Sequence, residues 1–158
     1  MEKTNAMRIL NQHKIPYEGM EYPHEEGVCV DGVTVANLIG EDENKVFKTL
    51  VCVDNTKHYF VCVIPVSSEL DLKKAARAFK VKSLSMIPVK ELLPTTGYIR
   101  GGCSPIGMKK QFKTIVDISA LNNEYIIFSG GKIGTQIKMN PTDLTKIIPV
   151  IFEDVKED

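Results

Sequence analysis

No run of apolar residues in this chain approaches the roughly 20 that span a bilayer, and no charged-then-apolar segment opens it. A cytoplasmic protein without a membrane partner is the expectation. Cysteine is sparse: Cys29, Cys52, Cys62 and Cys103 lie far apart and never form a CxxC. That argues against a zinc ribbon or disulfide framework and for reduced thiols. His13, His24 and His58 show no ligand spacing, so neither a metal nor another cofactor is expected. Missing too are a Walker phosphate loop, a dinucleotide fingerprint, a Ser-His-Asp triad and a catalytic carboxylate pair. Internal repeats and low-complexity linkers are lacking as well, and 158 residues suit a single domain spanning 1–158.

A net charge of one sign is the last absence. Twenty Lys and Arg balance twenty Asp and Glu, which at first argues against a polyanionic partner. The distribution reverses that impression. From Lys73 to Lys113 there are ten basic residues and one acid, Glu91; from Ile15 to Asn44 there are eight acids and no Lys or Arg. Such a basic segment either solvates one face or meets a phosphate-rich partner.

What is present reads as alternating short elements. Thr4 suits the cap of a helix over 5–13, which Pro16 ends, followed by a short strand in "YEGMEYPH". A second helix covers "GVTVANLIG" and stops at Gly40. Two apolar runs, "KVFKTLVCVD" and "KHYFVCVIPV", are joined by a polar turn and read as central strands covered on both faces. Asp71 caps the basic amphipathic helix "LKKAARAFK". Strands are expected in "VKSLSMI", "TIVDI", "EYIIFSGG", "TQIKM" and "VIFEDV", with helices beginning at Pro88 and Pro141. The order predicts an α+β domain with a mixed, largely antiparallel, barrel-like β-sheet flanked by helices.

Three features carry candidate chemistry. Lys48 sits in the first central strand, on the same face as Val46, Leu50 and Cys52. It either serves a pocket or snorkels to water from the strand's start, since an unpaired buried charge is costly. The segment "GGCSPIG", within "GYIRGGCSPIGMKK", is either an ordinary turn or a nest of backbone N–H groups suited to an oxyanion or phosphate. "SGGKIG" is a second glycine turn carrying a basic residue. Cys103 lies within the first loop, and a nucleophilic role for it requires a base or cation that no sequence neighbour supplies.

Taken in order, "VFKTL", "LDLKKAARA", "TGYIRGGCSPIGMKK" and "SGGKIG" resemble the YbaK/EbsC family of free-standing aminoacyl-tRNA deacylases, related to the editing domain of bacterial prolyl-tRNA synthetases. The likeness runs nearly end to end. It implies a trans-editing hydrolase acting on mischarged Cys-tRNA(Pro), with the aminoacylated CCA end as ligand, prolyl-tRNA synthetase as partner and no role for DNA. It also implies that Lys48, Gly101 and Tyr22 are catalytic. Gly102, Cys103, Ser104, Pro105, Ser129, Gly130, Gly131, Lys132, Gly134 and Gln136 would bind substrate. Gln136 stands where some members carry an aspartate, which opens the amino-acid preference to cysteine, alanine or another small residue. For cysteinyl esters the resemblance implies attack by the substrate's own thiol, with a positioned water as the rival. Compatible alternatives are a non-catalytic module binding an acceptor end or nucleotide, and a hydrolase using Cys103.

Overall fold

Capping side chains set the first boundaries of the computed structural model, which describes residues 1–158. Thr4 Oγ1 accepts the Met7 N–H at 3.3 Å and starts α1 (Asn5–Gln12), which buries Ala6, Met7 and Leu10. Asp31 caps α2 (Gly32–Ile39), and Gly40 ends it in the left-handed conformation. Asp71 accepts the N–H groups of Lys73 and Lys74 and opens α3 (Leu72–Phe79), whose Ala75 and Ala76 face inward. Pro88 precedes α4 (Val89–Thr96), which stops at Gly97. The helix expected from Pro141 is a 3₁₀ helix, Pro141–Lys146. A further 3₁₀ turn, Ile118–Asn122, went unforeseen because five residues carry no periodic signal. No helix is long and apolar enough to cross a membrane.

The strands form two open sheets, which corrects the expected barrel-like closure. β1 (Glu18–Glu21), β7 (Thr135–Met139) and β6 (Ile126–Ser129) pair antiparallel in that order. The five-stranded sheet runs β4 (Leu84–Met86), β2 (Phe47–Asp54), β3 (Tyr59–Pro65), β5 (Thr114–Asp117), β8 (Val150–Glu153). Its β3–β5 and β5–β8 pairs are parallel and the others antiparallel. Between the sheets there is one parallel bridge, Val46–Ile127, with the Ile127 N–H donating to the Lys45 carbonyl at 2.8 Å. One bridge, on β6, joins the sheets without closing a cylinder, because β1, β4 and β8 remain edges.

The alternation in β2 and β3 works as read. Phe47, Val51, Val61 and Val63 enter the main core with Met7, Leu10, Phe128 and Ile137. Their neighbours Cys52, Cys62 and Ile64 face the other way, onto Ala75 and Ala76 of α3. A strand pair buried on both faces cannot slip by one residue without exchanging these two cores. The start of β2 is thereby held in place, and Lys48 with it.

Candidate functional site

At the start of β2, beside the ends of β6 and β7, a cleft of about 550 Å³ opens. It gathers six of the residues singled out from the sequence: Tyr22, Lys48, Gly101, Cys103, Ser129 and Gln136. Gly102, Ser104, Pro105, Gly130, Gly131, Lys132 and Gly134 do not line it. Fifteen of its 23 lining residues are hydrophobic, several of them from α2, β2, β4 and α4, so charges inside act through a poorer dielectric than bulk water.

Lys48 is partly buried opposite Ile64 on β3, and no carboxylate lies within ion-pair distance of it. Arg100, exposed at the rim, is also unpaired. The cleft's carboxylate, Asp31, is engaged as the α2 cap: it accepts from the Thr34 N–H at 3.0 Å and the Thr34 hydroxyl at 2.8 Å. Those two bonds hold its carboxyl below the usual range. The cleft therefore presents two uncommitted cations to an anion.

Tyr22 is buried at the end of β1, its N–H donating to the Gly134 carbonyl at 3.0 Å. Burial raises its phenol, with a backbone contact to Gly134 acting in the opposite direction, so it stays a neutral donor at physiological pH. Gln136 is buried, and its Nε2 donates to the Thr135 carbonyl at 3.2 Å. Its amide oxygen remains able to accept. The Thr49 hydroxyl, also in the cleft wall, is shielded from solvent and has no partner.

The glycine loop is a tight turn closed by the Gly102 N–H on the Ile99 carbonyl at 2.9 Å. The N–H groups of Gly101, Cys103 and Ser104 find no protein acceptor. Gly101 adopts φ +87, and a Cβ there would stand 2.8 Å from Cys29 Sγ. A Cβ on Gly102 would stand 2.9 Å from the Lys132 Cα, so the second glycine turn is the floor on which the first rests. Within that second turn, Ser129 Oγ accepts the Gly131 N–H at 3.2 Å, and Gly134 leaves room for the His24 ring. Lys132 points outward, 3.7 Å from Glu2. Of the residues outside the lining, Gly102 and Lys132 thus bring the two loops into contact.

Cys103 is buried, and that burial pushes its thiol up to about 12. At neutral pH it is a thiol and not a thiolate, which argues against Cys103 as the nucleophile. Among residues the sequence did not single out, Arg100 sat inside the quoted glycine segment with a legible charge. Thr49 adjoined Lys48 without any signal of its own. Cys29 and Asp31 lie in the acidic segment, and only the path from β1 to α2 brings them to the cleft.

Comparison with known proteins gives consistent matches. The model of the aminoacyl-tRNA editing domain matches residues 29–147. A protein of Enterococcus faecalis, provisionally named a Cys-tRNA(Pro)/Cys-tRNA(Cys) deacylase EbsC, is 45% identical over 154 residues, covering 98% of this chain and 93% of that one. A solved structure described, again provisionally, as a trans-editing enzyme for prolyl-tRNA synthetase superposes with a TM-score of 0.82. It is 21% identical and covers 99% of this chain and 100% of its own. A hypothetical protein reaches 0.84 at 20% identity, over 95% of this chain and 97% of that one. At those identities the two structures speak for the fold.

Proposed function

Because the chain belongs to the aminoacyl-tRNA editing domain family, we propose that it is a trans-editing hydrolase that removes cysteine from mischarged Cys-tRNA(Pro). The observation that carries this reading is the pairing, in one apolar cleft, of an unpaired lysine with backbone N–H groups that have no protein acceptor. Cys103, the buried thiol of the cleft, is uncharged near neutral pH. An aminoacyl ester is already activated, so that equipment suffices.

Chemistry follows from the atoms present. The ester carbonyl sits against the Gly101 loop, whose free N–H groups stabilise the oxyanion as the carbonyl becomes tetrahedral. The substrate's own thiol sulfur attacks that carbon, forming a C–S bond. The C–O bond to the terminal ribose breaks, and the thiol proton passes to the departing ribose oxygen. A cysteine thiolactone and free tRNA result, and water later opens the thiolactone. Lys48 and Arg100 neutralise the terminal phosphate and the charge developing at the leaving oxygen. The Gln136 amide oxygen accepts from the substrate's amine, in place of the carboxylate that some relatives carry. The substrate would be met in the cytoplasm, with prolyl-tRNA synthetase as the partner that supplies tRNA identity.

The test is deacylation of Cys-tRNA(Pro) by wild type and by Lys48→Ala. Wild type should release cysteine well above buffer and capture a thiolactone-derived product, and the variant should lose about 100-fold or more in kcat/KM. Salt-sensitive tRNA binding without turnover would make the chain a binding module. Seryl-tRNA should react poorly, because a hydroxyl is a far weaker nucleophile than a thiol at neutral pH.

A further inference from the structure

A second concavity, of about 690 Å³, lies beyond α4 and plays no part in the chemistry above. Its rim carries Lys57 from the β2–β3 turn together with Lys110 and Lys113 from the segment before β5. All three are exposed, and none forms an ion pair. The carboxylate in the groove, Asp54, is folded into its own turn, accepting the N–H groups of Thr56 and His58 and the Thr56 hydroxyl. From there it forms no ion pair with any of the three lysines. Tyr59 packs on Phe112 in the groove with ring centroids 5.7 Å apart, so cations surround an aromatic surface.

One helix links this groove to the cleft. Val89 and Leu92 of α4 line the cleft and Thr95 lines the groove, a separation of roughly 5–9 Å along the axis. Lys90 on the same helix is exposed and unpaired. A strand whose terminal ester lies in the cleft therefore meets a cationic concavity a few nucleotides further back. Resting on the function proposed above, we propose that this groove binds the sugar–phosphate backbone of the tRNA acceptor strand, through Lys57, Lys110 and Lys113.

The test compares wild type with the double variant Lys110→Glu/Lys113→Glu on two substrates, full-length Cys-tRNA(Pro) and the cysteinyl ester of adenosine. The ester offers the cleft its reacting group but has no phosphate for the groove to hold. The variant should show a KM for the tRNA raised about tenfold, and the slope of log K for uncharged tRNA against log salt should fall by roughly 1.5. Its kcat/KM on the adenosine ester should match wild type. Lys14→Glu, an equally exposed lysine outside the groove, should leave all three values unchanged. Wild-type affinity and salt slope in the double variant would overturn the proposal, as would an equal loss on the two substrates. Failure of the underlying function looks different, since wild type would then turn over neither substrate.

Discussion

Replacing Gly101 by alanine separates the two demands that the cleft loop places on one residue. The first is conformational: φ of +87 lies where an L side chain costs about 1–2 kcal/mol. The second is space. The new methyl would stand 2.8 Å from Cys29 Sγ and 3.3 Å from the Cys29 Cα, and the backbone contact cannot be relieved by a rotamer change. Overpacking of this kind adds about 1–3 kcal/mol. Together they lower Tm by roughly 5–15 °C for a domain of this size. The catalytic penalty is larger in proportion, because moving the loop's N–H groups by about 1 Å costs on the order of 100-fold in rate. Gly40→Ala is the control: φ is +70 there, but nothing lies within 4 Å of the added methyl. It should cost only the conformational part and leave deacylation intact. Thermal unfolding and kcat/KM on Cys-tRNA(Pro) read both effects. If Gly101→Ala matches Gly40→Ala in Tm and keeps wild-type kcat/KM, the assignment of this loop to the reacting carbonyl is wrong.

Other outcomes follow from the same geometry. Cys103→Ala should retain deacylation within about threefold, measured on Cys-tRNA(Pro), since the thiol is not ionised near neutral pH. The thiol's raised folded pKa gives stability that is complete below its ordinary value of 9.0 and is lost as pH rises toward about 12. Denaturant midpoints for Cys103→Ala should consequently fall less steeply above pH 9 than those of wild type. Thr49→Val removes a hydroxyl that has no partner, so stability should change by less than about 1 kcal/mol while kcat/KM falls about tenfold. An unchanged kcat/KM would show that this hydroxyl does not meet the substrate. Lys48→Ala should leave Tm unchanged or slightly raised, because no ion pair is lost with the side chain.

Much of the fold was legible because its signals are local. Thr4 and Asp71 cap two helices through side-chain bonds spanning two or three residues, and Gly40 ends a third. The alternation of β2 and β3 was equally plain, because each face has its own core. Closure was not legible. Whether short strands form a barrel or two open sheets depends on pairings across the whole chain, such as β1 with β7 and β5 with β8. Strand propensity says nothing about those partners.

The candidate site divides along the same line. Lys48 and the Gly101 loop were visible as residue types out of keeping with their surroundings, a cation in an apolar strand and glycines in a basic segment. The sequence by itself could not say which glycines face the ligand and which face each other. Gly101 lines the cleft, while Gly102 lies against the backbone of Lys132, thirty positions along the chain. That distinction rests on contacts between distant loops, which local residue preferences do not encode. The uncharged state of Cys103 has the same origin, since burial by the assembled core raises its thiol. Residue chemistry and local periodicity are written in the order of the amino acids. Proximity, burial and the partners left free are set only when the chain closes around them.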